Sequence, residues 1–288
     1  MMATELKHFI EYASQAADNV LSFPMTQLYP KGYREQVWCR GTDFRRNASG
    51  AILCTLNNAE GAMCARISRP DVKLESFKNW QVMLVDLVTV SLNGKLTAEV
   101  MRLRTEGGKP GSYLDLMPRA VCALPRKLDE LRELIQYIQA KELRQVLETA
   151  FSDAKIVLPF LTCFGGRESY TYPSGLLAKT VAAAKVAIGM GFESQEEADM
   201  VLTTAILYDL GRIQDVNLTA ETIRKATGIV PHAATLDLVR LALNPAKNRL
   251  HASLEEILAT GYCDQYPSLH RKMKQQTALA KINVALLD

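Results

Sequence analysis

The sequence predicts an α+β protein in two parts, an N-terminal five-stranded β-barrel followed by an all-helical domain. Three observations predict it: short β-branched runs broken by turn residues over 36–104, a Gly- and Pro-rich break over 107–111, and apolar residues at three- and four-residue spacing after that break. The expected organisation is an N-terminal helix over 1–30, the barrel over 31–106, a linker over 107–125 and the helical domain over 126–288. With 288 residues and 48% hydrophobic content, each part has enough apolar material for its own core.

Leu6, Phe9, Ile10, Ala13, Ala17, Val20 and Leu21 share one helical face, and Ser22-Phe23-Pro24 closes that helix. Strands are expected over 36–40, 51–56, 61–67, 81–92 and 95–104. Asn57-Asn58-Ala59-Glu60-Gly61 joins the second to the third, and Asn93-Gly94 supplies the positive-φ pair of a two-residue hairpin between the last two. Past the break, Leu128, Leu131, Leu134, Ile135 and Ile138 form one apolar stripe, and Leu143, Val146, Leu147 and Ala150 another, a helical pair before Pro159. Further helices are expected near 175–190, 195–210, 219–227, 233–243, 252–260 and 266–286.

No apolar run is long enough for a membrane span or a secretion signal, so no membrane partner and a cytoplasmic location are expected. Cys39, Cys54, Cys64, Cys122, Cys163 and Cys263 contain no Cys-x-x-Cys pair, which argues against a zinc ribbon or disulfide framework. Net charge is only +3, but residues 31–106 hold 12 Lys and Arg against 8 Asp and Glu, which concentrates the basic excess in the barrel.

The barrel stretch, with its long connection between the third and fourth strands, resembles an OB-fold over 34–104. That resemblance implies single-stranded DNA or RNA as partner, held by a basic groove and aromatic platforms. Trp38, Arg40, Phe44, Arg45, Arg46, Arg66, Arg69, Lys78 and Arg102 are the expected contacts, with Lys73, Arg104 and Trp80 as further candidates. Solvated surface charge on a packing barrel is the plainer alternative.

Leu207-Tyr208-Asp209-Leu210-Gly211-Arg212 resembles the Leu-His-Asp-Ile-Gly-Lys signature of HD-domain metal phosphohydrolases, and 172–180 resembles the entry to that family's first ligand helix. Lys179 and Tyr208 stand where metal-binding histidines would be, and Asp209 is the one remnant of the motif. Barrel plus helical domain is similar to the bacterial OB-fold plus HD-domain 3′–5′ exoribonucleases; with the ligand histidines replaced by Lys179 and Tyr208, the resemblance implies a pseudoenzyme with no cofactor and no catalytic residue, and with a scaffold or partner surface in the helical domain. The alternative is a divergent phosphodiesterase in which Asp209, with Asp215, Asp237 and Asp264, holds Mn²⁺ or Mg²⁺. A third reading is a protein-interaction or regulatory module, with a protein partner or as a homo-oligomer, that binds no nucleic acid. His8, His232, His251 and His270 form no ligand pair in sequence. No phosphate loop or Gly-x-Ser-x-Gly elbow occurs, and the basic patch over 269–274 reads as a solvated face.

Overall fold

The computed structural model describes residues 32–92, 95–104, 108–166, 169–189, 191–217 and 231–260. The helices expected at 5–22, 219–227 and 266–286, the Asn93-Gly94 turn and the 269–274 patch lie outside the described residues. The chain divides into two compact units, Met1–Val121 and Cys122–Asp288.

In the first unit, β1 (Gly32–Arg46), β2 (Ile52–Asn58), β3 (Gly61–Ile67), β4 (Gln81–Leu92) and β5 (Lys95–Arg104) close a barrel in the order β1-β2-β3-β5-β4. All pairings are antiparallel except β3 with β5. Alternation sends Cys39, Ile52, Cys54, Leu56, Met63, Ala65, Ile67, Val85 and Val100 into the core. Burial pushes the Cys39 thiol up and that of Cys54 up to about 12, so both pack as neutral hydrophobes.

β1 is longer than the 36–40 expected, because one strand serves two partners. Its residues from Gly32 to Gly41 pair with β4, and those from Arg40 to Arg46 pair with β2. Register shifts bend it at two places, where Gln36 and Asp43 take φ of 54° and 55°. Each irregular residue finds a side-chain acceptor: Gln36 N–H donates to Asp86 Oδ1 at 2.9 Å and Asp43 N–H to Asn79 Oδ1 at 2.9 Å. Charged and glycine residues past Arg40 hide this extension from a reading of apolar alternation. Gly41 sits where a Cβ would lie 2.6 Å from Met83 Sδ and against the Phe44 ring, so its lack of a side chain lets Phe44 fold onto Phe77.

The second unit contains seven α-helices among the described residues: α1 (Pro125–Tyr137), α2 (Lys141–Ser152), α3 (Ala154–Thr162), α4 (Gly175–Ile188), α5 (Gln195–Leu207), α6 (Pro231–Val239) and α7 (Arg249–Thr260). α1 starts with Pro125 at its first turn, where a missing N–H costs nothing, and buries Leu128, Leu131, Leu134 and Ile135. Pro159 lies inside α3, beyond the helical pair expected before it. α5 is buried on nearly every side, from Met200 to Leu207, as befits a central helix. Ser194 caps it by accepting from Glu197 N–H at 3.2 Å.

Asp199 on α5 is a buried carboxylate that sequence reasoning did not single out. It accepts from Gln139 N–H at 2.9 Å and Ala140 N–H at 2.6 Å, just ahead of α2, and from the Gln195 amide at 2.7 Å. The carboxylate thus satisfies orphan donors at a helix start from another helix. Asp199→Ala strands both N–H groups and is expected to lower stability by about 2 kcal/mol, read from the denaturant midpoint of the helical circular dichroism.

Candidate functional site

Arg45 pairs across the sheet with Leu53, and Leu53 with Arg66, so two guanidinium-bearing residues flank one apolar side chain on neighbouring strands. The turn joining β1 to β2 is held by its own hydrogen bonds: Asn47 Oδ1 accepts from Ser49 N–H at 3.1 Å and Ala51 N–H at 2.9 Å, while Arg46 Nη1 donates to the Gly50 carbonyl at 2.7 Å. Arg45 and Arg46 are exposed at the root of this pre-organised turn. Arg66 is 38% exposed and donates to Glu99 Oε2 at 2.5 Å, which cancels part of its charge.

Other expected contacts fall differently. Arg40 is fully buried, and its Nη1 donates to the Trp80 carbonyl at 3.1 Å; it belongs to the fold and leaves the candidate face. Phe44 packs against the barrel core and stacks on Phe77 with centroids 4.6 Å apart, which removes it as a free platform. Arg69 is exposed but engages Asp71 through Nε at 3.1 Å and Nη2 at 2.6 Å, and that hydrogen-bonded carboxylate raises its pKa. Lys73, Lys78 and Arg102 are exposed, and Trp38 and Trp80 are half-buried. Arg104 holds Asp86 through Nε at 2.7 and 2.9 Å, a pair announced only by a lone carboxylate in the apolar β4 run. That hydrogen bond and the Arg104 charge hold the Asp86 carboxyl below its ordinary value, against the upward effect of burial.

In the helical unit, Lys179 on α4 and Asp209, two residues past α5, meet at 2.6 Å between Nζ and Oδ2. Arg212 Nε approaches the other oxygen, Oδ1, at 2.7 Å. Both carboxylate oxygens are therefore engaged by cations, and the Asp209 side chain is only 13% exposed. Burial pushes its carboxyl upward, but the two cations outweigh it and hold the group below the ordinary carboxylate value.

Two local arrangements fix this triad. Gly165 and Gly175 bring their backbones so close that a Cβ on Gly165 would lie 2.5 Å from the Gly175 carbonyl oxygen, and buried Ser174 donates to the Leu161 carbonyl at 2.7 Å while accepting from Ala123 N–H at 2.9 Å. That anchors the start of α4 and so the height of Lys179. Thr235 on α6 accepts from Gly211 N–H at 2.8 Å and donates to the Tyr208 carbonyl at 3.2 Å, clamping the turn that carries Asp209. Burial and the Asp209 charge push the Tyr208 phenol above its ordinary value.

Comparison with protein-family models and with curated proteins finds no match to this chain. Function is therefore read from the sites.

Among the described residues, no group of three His, Cys, Asp or Glu side chains is arranged to hold a metal ion. Asp237 is exposed and lies 3.6 Å from Arg240; Asp264, His8 and His270 lie outside the described residues, as do the side chains of Asp215 and His232. His251 is buried between helices, with Nδ1 accepting from Asn244 N–H at 3.0 Å and Nε2 3.3 Å from the Glu142 carbonyl. No described helix is long and apolar enough to cross a membrane.

Proposed function

We propose that this chain binds single-stranded nucleic acid through an OB-like barrel and that its HD-like helical unit is a metal-independent scaffold. The observation that carries the reading is the Arg45–Leu53–Arg66 row beside a rigid β1–β2 turn. In OB-folds the second and third strands and the loop joining the first two form the face that binds oligonucleotides. Exposed cations there would meet phosphates, and apolar surface between them would meet base or sugar. Lys78 and Arg102 are exposed additional contacts, whereas Arg40 and Phe44 serve the core.

For the helical unit, the supporting observation is the saturation of Asp209 by Lys179 and Arg212. A carboxylate already paired with two cations gains little from a divalent ion, which would have to displace an ammonium at 2.6 Å. The Lys179 ammonium then occupies, from within the chain, the side of the Asp209 carboxylate that a metal would take.

The test is to measure bound metal on the purified chain and to follow a labelled single-stranded oligonucleotide with and without Mn²⁺. Salt-sensitive binding without cleavage is the expected result. Stoichiometric metal with Mn²⁺-dependent cleavage would overturn the scaffold reading, and absence of binding at low salt would overturn the barrel's role.

A further inference from the structure

The row that carries the proposed strand-binding face does not end at Arg66. Across the parallel join that closes the barrel, Arg66 pairs with Glu99 of β5, and Glu99 pairs in turn with Val88 of β4. The row therefore reads Arg45, Leu53, Arg66, Glu99, Val88 over β1, β2, β3, β5 and β4, with a carboxylate beside its second cation. We propose that Glu99 is a built-in competitor for the phosphate of a bound strand: it occupies the Arg66 guanidinium in the free protein, and a nucleic-acid phosphate has to take its place. This rests on the reading of the barrel as a nucleic-acid binder and names the residue that limits its affinity.

Chemistry and position both fit that role. A carboxylate presents to a guanidinium the same kind of anionic oxygen that a phosphate does, and the planar arginine fork accepts either. Arg66 Nε donates to Glu99 Oε2 at 2.5 Å, so that donor is closed to a ligand while the pair is made. Side-chain exposure is 38% for Arg66 and 17% for Glu99, which leaves the cation open to an arriving strand and keeps the anion partly out of water. A partly desolvated charge is screened less than a solvated one, so Glu99 repels a phosphate at Arg66 more strongly than an ordinary surface acid would. The Arg69–Asp71 pair, in the connection after β3, is the contrast: Asp71 is 60% exposed, and water screens its charge.

The competition favours a strand over a lone anion. Arg45 and Arg66 stand two strands apart, about 10 Å between backbones. A strand already held at Arg45 presents its other phosphates to Arg66 at high effective concentration, whereas a free anion has to displace Glu99 unaided. Glu99 thus lowers the affinity of the face while keeping Arg66 from small anions.

Glu99→Gln tests this in the full chain, because glutamine keeps the length and an oxygen for Arg66 Nε while removing the charge. Oligonucleotide binding is followed by anisotropy at several salt concentrations, with folding checked by circular dichroism. The expected result is about fivefold tighter binding at low salt, with a slope of log affinity against log salt steeper by up to about 0.7, one further phosphate contact. Arg66→Gln removes the group competed for, so adding Glu99→Gln to it is expected to leave binding almost unchanged. Asp71→Asn should raise affinity by less than about twofold. Affinity that is unchanged or lower in folded Glu99→Gln overturns the competitor, and so does a gain of the same size in the Arg66→Gln background. The two readings fail separately: a native chain that binds the oligonucleotide as tightly as Glu99→Gln refutes the competitor alone, whereas no binding by either at low salt refutes the strand-binding face and the competitor with it.

Discussion

Reversing charge at Arg45 and Arg46 together is expected to weaken single-stranded oligonucleotide binding by at least roughly tenfold at moderate salt and to flatten its salt dependence. Each phosphate contact on a single strand contributes about 0.7 to the slope of log affinity against log salt, so loss of two lowers the slope by about 1.4. Both residues are exposed, and neither contributes to the barrel core, so Arg45→Glu with Arg46→Glu should leave folding intact apart from the turn bond to Gly50. Reversal at Arg69, which is already engaged by Asp71, serves as the contrasting control and should matter less. Anisotropy titrations at several salt concentrations check both statements, and an unaltered slope in the double variant would remove this face from the binding site.

The second large effect is expected in the helical unit. Lys179→Met keeps the chain length but leaves Asp209, 13% exposed, with Arg212 as its remaining cation. Taking one partner from a mostly buried pair costs more than the pair contributed, because the carboxylate stays desolvated. We expect a loss of about 2–3 kcal/mol at neutral pH, less than for a fully buried pair because Arg212 remains. Denaturant unfolding of the full chain, followed by helical circular dichroism, reads it.

The pH dependence gives that prediction a sign. In the native chain the Asp209 carboxyl lies below its ordinary value, so its contribution is complete above about pH 4 and is lost as pH falls through the depressed value. Protonation of Asp209 also removes the charge that Lys179→Met leaves under-compensated. The deficit of that variant should therefore be largest at neutral pH and shrink below about pH 4. A deficit that is constant from neutral to acid pH would mean that Lys179 acts through packing of its stem and not through its charge.

Legibility in the sequence followed the range of the interaction. β3, β4 and β5 were readable to their ends because each is a run of apolar and β-branched residues bounded by turn residues, and the stripe from Leu128 to Ile135 was readable because a helix repeats its buried face locally. β1 was readable only in its middle, since its ends depend on which partner strand each half meets. Arg40 looked like any surface arginine, and nothing near it in the chain announces its burial.

The sequence by itself determined that a five-stranded barrel precedes a set of helices, and where the connections on either side of β3 fall. Those properties depend on residue type and on spacing over a few residues. Only the tertiary structure decided that Lys179, 30 residues before Asp209, closes on its carboxylate; that Asp199 serves a helix start 59 residues away; and that Trp38, Leu84 and Arg104 form one row. The physical reason is that charge pairing and hydrogen bonding act over a few ångströms in space, and which residues come that close is set by packing of whole elements that no local pattern encodes.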